Sequence, residues 1–128
     1  DEEASHARHW AVDDEDGNIV AAARLTFHHS FTEGTRDTVL WKDRGLGLPV
    51  VDLSRLVVDK KARGKGVAQS LNVVRIEASR AMGARSIIAT ASAPNARLLC
   101  RLGFTQTDIL VRFDDRPNTD FFGLEITL

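Results

Sequence analysis

A strand-like run, a glycine-rich loop and a helix-like run follow one another near the middle of the chain, and this unit constrains the fold most. The run from Pro49 to Asp59 is rich in Val and Leu, which predicts a buried strand. The helix-like run has apolar residues at steps of three and four, namely Val67, Leu71, Val74 and Ala78. This period predicts an amphipathic helix that ends near Gly83, a residue suited to a left-handed cap. A helix that opens directly after a strand and a glycine turn directs its first backbone N–H groups outward, so the unit predicts an anion site in the loop.

The loop combines two glycines with four cations. Gly64 and Gly66 would let an anion approach the main chain closely. The cations around them are Lys60, Lys61, Arg63 and Lys65. The loop is not a Walker motif, because Val67 follows the second glycine, and it lacks the third glycine of a dinucleotide fingerprint. The residues alone leave two interpretations: a phosphate-binding loop, or a solvated basic turn that shapes the start of a helix.

The remaining periodic segments extend this unit to a whole domain. Further strands are predicted at His9–Val12, Asn18–His28, Ala84–Ser92, 106–114 and 121–128, with a second helix from Pro94 to Gly103. Residues 30–48 predict a long loop with a short strand at Thr38–Trp41, and residues 115–119 predict the turn between the last two strands. The strand at Ala84–Ser92 is apolar on both faces, so we expect it at the centre of the sheet. The order predicts an α/β (α+β) fold, a mixed central β-sheet flanked by helices, as a single domain over residues 1–128.

Composition and charge exclude several classes of function. The formal net charge of −1 gives no basis for a large nucleic-acid-binding face, so any anion site must be local. No apolar run approaches the roughly 18 residues of a membrane span. Cys100 is the one cysteine, which excludes a disulfide within the chain and suits a reducing compartment. We therefore expect a cytoplasmic protein that binds neither nucleic acid nor membrane. The spacing of the histidines and Cys100 predicts no metal site.

Two separate motifs carry a resemblance to a known family. The loop reads Arg63-Gly64-Lys65-Gly66-Val67-Ala68 and resembles the Arg/Gln-x-x-Gly-x-Gly/Ala core of the acyl-CoA-binding motif of the GNAT acetyltransferase superfamily. The segment NARLLCRLGF is similar to a second motif of that family, matched by Asn95, Leu98, Gly103 and Phe104. The resemblance covers about residues 9–113 and implies the fold of these acyl-CoA N-acyltransferases. It also implies that the N-terminal part of the fold is shortened in this chain.

The resemblance assigns cofactor-binding roles to the loop and to the strand before it. It implies acetyl-CoA as the acyl donor, with the pyrophosphate of coenzyme A held by backbone N–H groups of Arg63, Gly64, Lys65, Gly66, Val67 and Ala68. Main-chain groups of Leu56, Val57 and Val58 are expected to pair with the pantetheine arm like an added strand. Asn95 is expected to bond the arm from the opposite side; its alternative role is a cap at a helix N-terminus.

The implied reaction is transfer of acetyl from acetyl-CoA to a primary amine by direct attack in a ternary complex. The amine must be neutral to attack, and Asp52 is the candidate base, directly or through water. A side-chain period of two predicts that Ser54 and Leu56 share its strand face; the alternative for Asp52 is pairing with Arg55 or another cation. Cys100 stands where the family has a tyrosine, and the chain contains no tyrosine. Its thiol is therefore the candidate acid for the leaving group, or else Cys100 is a buried packing residue.

The acceptor is expected to be an amine of a small molecule or a peptide. By position in the chain, Glu33, Arg36 and Trp41 are candidates for the acceptor wall, and His28 or His29 is a second candidate base. Such adjacent histidines are more often exposed residues without a special role. A homodimer is common for the implied fold and is carried as an expectation.

Two alternative functions stay open at this point. The pattern Asp52-x-x-Arg55 imitates the Glu-x-x-Arg pattern of acyl-homoserine-lactone and N-acyl amino acid synthases, relatives that use long acyl chains. The missing tyrosine and the shortened N-terminal part also fit a non-catalytic acyl-CoA-binding regulatory domain. Turnover with amines and the preferred acyl length separate both alternatives from acetyl transfer.

Overall fold

The structure is a computed structural model that describes residues 6–32 and 38–128. Its strands are β1 (Ala7–Asp13), β2 (Ile19–His28), β3 (Val50–Val58), β4 (Ser86–Ser92), β5 (Thr105–Phe113) and β6 (Arg116–Thr127). The α-helices are α1 (Val67–Ala81) and α2 (Ala93–Arg101), and short 3-10 turns occupy Thr38–Trp41 and Lys60–Ala62. The predicted alternation of strands and helices after residue 49 is therefore confirmed.

All six strands form one mixed sheet in the order β1-β2-β3-β4-β6-β5. β3 and β4 are parallel, and every other neighbouring pair is antiparallel. β4 lies inside the sheet, and its residues Ile87 and Ile88 are fully buried from opposite faces. The predicted central position of this strand and the mixed sheet flanked by helices are both confirmed.

Glycines end both helices, as the sequence predicts. Gly83 adopts a φ of 84°, and the N–H of the following Ala84 donates to the carbonyl of Ser79, 3.1 Å away. Gly103 ends α2 in the same way, with a φ of 103°. Pro94 lies in the first turn of α2, where its missing N–H removes no helical hydrogen bond. These sharp ends return the chain to the sheet after each helix.

The two faces of the sheet are covered by different parts of the chain. The helix face holds the larger cluster, which includes Leu25, Val51, Leu53, Ile76, Ile87, Leu99 and Leu124. On the opposite face, Phe31 and Trp41 pack on Val50 and Ile88. Gly123 makes room there, because a Cβ at this position would lie 2.9 Å from the Trp41 ring and 2.7 Å from Ile109.

Two local predictions are wrong. Thr38–Trp41 forms a 3-10 turn and not a strand, because the core holds its first and last side chains: the Thr38 hydroxyl donates to the carbonyl of Phe31 (3.0 Å), and Trp41 is 1% exposed. Residues 116–119 belong to β6 and not to a turn. Pro117 is tolerated in this strand because β6 pairs only with β5 there; its pairing with β4 begins at Phe121.

Candidate active site

The parallel strands β3 and β4 separate halfway along their length. They pair only from Val50 to Leu53, opposite residues 86–89, although β3 runs on to Val58 and β4 to Ser92. Beyond this point each strand keeps its outer neighbour, so Val58 still pairs with β2 and Ser92 with β6. The inner edges of the two strands are thus left facing each other without a ladder between them.

A cavity of about 580 Å³ lies between the separated strands. It is lined by Asp52, Ser54, Leu56 and Val57 of β3 and by Thr90, Ser92, Asn95 and Leu99 of β4 and α2. Its volume is in the range of small-molecule and cofactor sites. We refer to this cavity as the cleft.

A bulge in β3 shapes the cleft. Val57 pairs with Ala22 and Ser54 pairs with Arg24, so two residues of β3 face one residue of β2. Arg55, inside the bulge, has a φ of 53°, in the left-handed region that a non-glycine residue rarely adopts. No glycine or proline marks the position, so the sequence did not predict it.

The bulge reverses the alternation of side chains along β3. Before it, Asp52 lies on the face opposite the helices, since its neighbour Leu53 belongs to the helix-side cluster. After it, Leu56 packs with Leu71 of α1 on the helix side. The prediction that Asp52 and Leu56 share a strand face is therefore wrong, because one extra residue shifts a period of two by one step.

The loop before α1 is open on its outer side. Gly64 and Gly66 have φ values of 77° and 78°, and apart from the adjacent residues no atom of the described chain lies within 4 Å of the position of a Cβ at either one. Gly66 is the N-cap of α1 and provides no side-chain cap. Within residues 6–32 and 38–128 we find no acceptor for the backbone N–H groups of Gly64, Lys65 and Gly66. The first N–H groups of the helix and these loop N–H groups thus share one exposed surface.

The cations of the loop differ in the ion pairs and hydrogen bonds that they form. Lys61 lies 3.7 Å from the carboxylate of Asp14, and Arg63 donates from Nε to the carbonyl of Val58 (3.2 Å). Lys60 and Lys65 are exposed and form no ion pair with the residues that the structure describes. The loop therefore keeps positive charge on the side where its N–H groups are open.

A buried guanidinium lies behind the cleft, and the sequence analysis did not identify it. Arg75 of α1 is 1% exposed, and its Nη1 donates to the carbonyls of Arg24 (2.9 Å) and Ser54 (3.2 Å). Burial lowers the pKa of Arg75 to about 10, and the nearby charge of Asp52 acts in the opposite direction. Arg75 is still charged at neutral pH, and it satisfies strand carbonyls beside the bulge.

Polar side chains continue from Arg75 to the second helix. Arg75 Nη2 donates to Asn72 Oδ1 (2.9 Å), and Asn72 Nδ2 donates to Asn95 Oδ1 (2.8 Å) and to Gln69 Oε1 (3.2 Å). Gln69 Nε2 in turn donates to the carbonyl of Leu98, 3.1 Å away. A signal for this network exists in the sequence: polar residues 72, 75 and 79 recur at helical spacing beside the apolar stripe of α1.

The hairpin between β5 and β6 forms the outer wall of the cleft. The rings of Phe113 and Phe121 meet edge to face with centroids 4.9 Å apart, and both line the cavity together with Asp115 and Arg116. The sequence analysis predicted the strands of Phe113 and Phe121 but missed this wall, because the two rings meet only through the pairing of β5 with β6. The cleft is thus bordered by an aromatic pair and by charges of both signs.

Comparisons with known proteins agree with this geometry. The sequence profile of the acetyltransferase (GNAT) family matches residues 1–104. The chain belongs to this family. No match was found among curated proteins.

Solved structures of GNAT proteins share the fold. A GCN5-related N-acetyltransferase from Kribbella flavida is 21% identical with a TM-score of 0.64, covering 96% of this chain and 68% of that chain. Spermidine N-acetyltransferase from Vibrio cholerae, in complex with CoA and spermine, is 16% identical with a TM-score of 0.66 (97% and 67% covered). The NatC complex bound to a Gag peptide and CoA is 16% identical with a TM-score of 0.67 (94% and 70% covered). The chain spans about two thirds of the length of each of these GNAT structures.

The predicted cofactor residues of this GNAT chain lie on two neighbouring surfaces. Leu56 and Val57 line the cleft, and the loop residues 63–68 lead from the end of the same strand into α1. Asn95 lines the cleft from α2, where it is the third residue of the helix. Its alternative role as an N-cap is wrong, because Ser92 occupies the N-cap position.

The two candidate catalytic residues are not brought together. Asp52 is half-buried and lines the cleft, whereas Arg55, its alternative partner, forms no ion pair among the described residues. Cys100 is exposed on α2 and does not line the cleft; its neighbour Leu99 does. The alternative that Cys100 is a buried packing residue is also wrong, because the helix turns residue 99 and not residue 100 toward the core.

The expected acceptor residues have different positions. Trp41 is buried in the core on the far side of β3 and β4, so its expected place in the acceptor wall is wrong. Glu33 and Arg36 lie outside the described residues. His28 is buried and its Nε2 lies 2.9 Å from the Thr26 hydroxyl, so the expectation of two exposed histidines holds only for His29.

The described residues provide neither a metal site nor a membrane-spanning helix. No group of three or more His, Cys, Asp or Glu side chains there is arranged to hold a metal ion. Neither α-helix in those ranges has the length and apolar character needed to cross a membrane.

Proposed function

We propose that the protein transfers an acetyl group from acetyl-CoA to a primary amine on a small molecule or a peptide. The observation that carries the proposal is the position of the opened β3–β4 edge directly beside the exposed N-terminus of α1. A ligand that is both an anion and an extended chain of amides would use the two surfaces at once. Coenzyme A is such a ligand, and the family membership of the chain makes it the expected one.

The loop is proposed to hold the pyrophosphate. Open backbone N–H groups of residues 64–68, the dipole of α1 and the charges of Lys60 and Lys65 all favour an anion there, whereas the N–H of Arg63 donates to the carbonyl of Lys60 (3.2 Å). The glycines leave space for a phosphate oxygen to approach the main chain. A side chain at either glycine would intrude on that space and would strain the backbone.

The upper half of β3 is proposed to bind the pantetheine arm. Val57 and Val58 pair with β2 through one edge of the main chain, and no strand of the described residues lies beside the other edge of Leu56, Val57 or Val58. An extended arm with two amide groups can occupy that edge as an added strand. Asn95 faces this edge across the cleft and supplies one side-chain contact.

Asp52 is proposed as the general base. The amine nitrogen forms a bond to the acetyl carbonyl carbon, the carbon–sulfur bond breaks, and Asp52 takes the amine proton directly or through one water. The coenzyme A thiolate leaves with the electron pair and is then protonated. The acceptor is proposed to enter past the hairpin wall of Phe113, Phe121 and Arg116, because that wall borders the same cleft that Asp52 lines.

Cys100 stays a predicted proton donor, but its position in the structure does not support this role. Its thiol is exposed on α2 outside the cleft, so solvent protonation of the thiolate is the better-supported route. The variant Cys100→Ala decides between the two. An unchanged kcat would assign protonation to solvent, and a fall of about 100-fold, typical of losing a general acid, would restore the thiol to the mechanism.

Ligand titration followed by a turnover assay tests the proposed function. Thermal unfolding with acetyl-CoA at about 100 times its dissociation constant should raise the unfolding free energy by roughly 2.7 kcal/mol. Release of free coenzyme A should then depend on an added amine. Stabilisation only by long-chain acyl-CoA would favour the N-acyl amino acid synthase, and binding without turnover over a broad amine panel would favour a regulatory domain.

The cellular location and the oligomeric state of the protein are proposed from the sequence alone. A single cysteine and an intracellular cofactor suit the cytoplasm. A homodimer is proposed from the resemblance to the family, and light scattering of the full chain tests it. A monomer at all protein concentrations would remove the dimer from the proposal without affecting the rest.

A further inference from the structure

A chain of side-chain hydrogen bonds joins the two walls of the cleft behind its surface. We infer that Arg75 and Asn72 fix the orientation of the Asn95 amide, so that its NH2 group faces the cleft and donates to a carbonyl oxygen of the acyl donor. This inference rests on the proposed function, because it concerns the same acyl-CoA site. Arg75 and Asn72 are positioning residues here, since they act through Asn95.

The orientation follows from the donor capacity of each group. A guanidinium has donors and no acceptor, so Arg75 Nη2 can meet only the oxygen of Asn72, at 2.9 Å. The nitrogen of Asn72 must then point the other way, where it lies 2.8 Å from Asn95. A donor requires an acceptor, so Asn95 presents its oxygen to Asn72. The NH2 group of Asn95 is left on the side away from Asn72.

Burial makes this orientation difficult to reverse. Asn72 is 0% exposed and Arg75 is 1% exposed, so neither can exchange its partners for water. Turning the Asn72 amide would set its NH2 group against the guanidinium and its oxygen against Asn95 Oδ1. Gln69 holds the same orientation from a third side, since its Oε1 accepts from Asn72 Nδ2.

The same guanidinium also holds the opposite wall. Arg75 Nη1 donates to the carbonyls of Arg24 and Ser54, the pair of residues next to the β3 bulge. Asn95 and Arg75 both line the cleft. One buried cation therefore positions the strand edge on one side of the acyl-donor arm and the amide donor on the other.

The test replaces the amide of one asparagine in the hydrogen-bond network with a carboxylate of the same size, which accepts hydrogen bonds but cannot donate them. Asn72→Asp still accepts from Arg75 but cannot donate to Asn95, so the Asn95 amide turns and presents its oxygen to the cleft. Asn95→Asp places an oxygen there directly and keeps the acceptor that Asn72 needs. Each variant should weaken coenzyme A binding about tenfold in isothermal titration, the scale of one lost hydrogen bond.

A shorter ligand separates positioning from general damage. Adenosine 3′,5′-bisphosphate lacks the pantetheine arm, so its affinity should be the same in the wild type and in both variants. In an Asn95→Ala background, Asn72→Asp should no longer change coenzyme A affinity, because the group that it orients is gone.

Three other results would contradict either the inference about Asn95 or the proposed function. Asn95 is half-buried, so Asn95→Asp does not require the buried hydrogen-bond network to rearrange. Unchanged coenzyme A affinity in this variant would mean that Asn95 donates no hydrogen bond to the arm, and the inference would be wrong. An equal loss for both ligands in Asn72→Asp would show structural damage and no orienting role. If the wild type binds neither ligand, the proposed function itself fails.

Discussion

The lower half of β3 (residues 50–53) and its upper half (residues 54–58) are similar in length but differ in burial and pairing. In the lower half, Val50 and Val51 are fully buried and the strand pairs on both sides. In the upper half, Val57 is 60% exposed, and among the described residues the strand pairs only with β2. The lower half therefore stabilises the fold, while the upper half offers an unpaired edge for binding. The bulge at Arg55 marks the boundary between them.

The largest effect is expected where the open half continues into the loop. Gly66→Glu adds a negative charge and a side chain at a φ of 78°, and it should weaken coenzyme A binding by more than about 100-fold (~2.7 kcal/mol). Isothermal titration measures the loss. Gly17→Glu is the matched control, because Gly17 has a φ of 80° and equally open surroundings in the β1–β2 turn. Retained affinity in Gly66→Glu would remove the loop from the site.

Asp52 tests whether the end of the lower half, next to the boundary, carries the chemistry. Asp52→Asn should lower kcat about 100-fold, because the amide cannot accept the amine proton, and should leave the dissociation constant of acetyl-CoA unchanged. Steady-state kinetics at saturating donor measure the change. Asp108→Asn, at an exposed carboxylate paired with Arg44, is the control. A kcat within twofold of the wild type would assign the base to another group.

The comparison within β3 can be made with one substitution at two positions. Val51→Ala should lower the free energy of unfolding by about 2 kcal/mol, because it leaves a cavity in a fully buried part of the core. Val57→Ala should change it by less than about 0.5 kcal/mol. Chemical denaturation measures both variants. Equal losses would mean that the upper half is also packed, in contradiction to the open edge.

The smallest effect is expected at the contact between the β1–β2 turn and the loop. The carboxylate of Asp14 accepts the backbone N–H groups of Asn18 and Asp16, both at 2.9 Å, and lies near Lys61. Mainly the hydrogen bond from Asn18 lowers the pKa of Asp14 below its usual value. A lowered pKa stabilises the fold above the unfolded-state value, and this contribution is lost as the pH falls through the folded-state pKa.

Asp14→Asn should therefore lower Tm slightly near neutral pH, and the difference from the wild type should vanish in acid below the folded-state pKa of Asp14. Asp16→Asn, in the same exposed turn, removes a carboxylate that accepts no hydrogen bond from the described residues. Its Tm difference should not follow the same titration. A pH-independent difference for Asp14→Asn would show that the carboxylate charge has no role in holding the turn.

Most of the fold could be predicted because its signals are local. Periods of two and of three to four residues identified β3, β4 and both helices, and Gly83 and Gly103 ended the helices where a left-handed residue was needed. The loop around Gly64 and Gly66 was identified for the same reason, since a backbone requirement is written in the residues themselves. The predicted strand at Thr38–Trp41 failed because that segment is held by packing and not by a strand partner.

The candidate site was only partly predictable, because much of it is made by contacts across the fold. The bulge at Arg55 has no local signal, and it moved Leu56 to the face opposite the predicted one. The network around Arg75 depends on carbonyls of β2 and β3, which lie 51 and 21 residues away in the chain. A buried cation at this position has meaning only once those acceptors surround it.

The sequence by itself determined the order of the elements from β3 onward and the position of the glycine loop, since each of these follows from the backbone and side-chain preferences of neighbouring residues. Its two motifs indicated the family of the chain. The tertiary structure alone decided that β3 and β4 separate after Leu53, that Cys100 faces outward, and that Asn95 is oriented from behind by Asn72 and Arg75. These features arise where distant segments must share hydrogen-bond partners and space, and no local pattern encodes such a shared requirement.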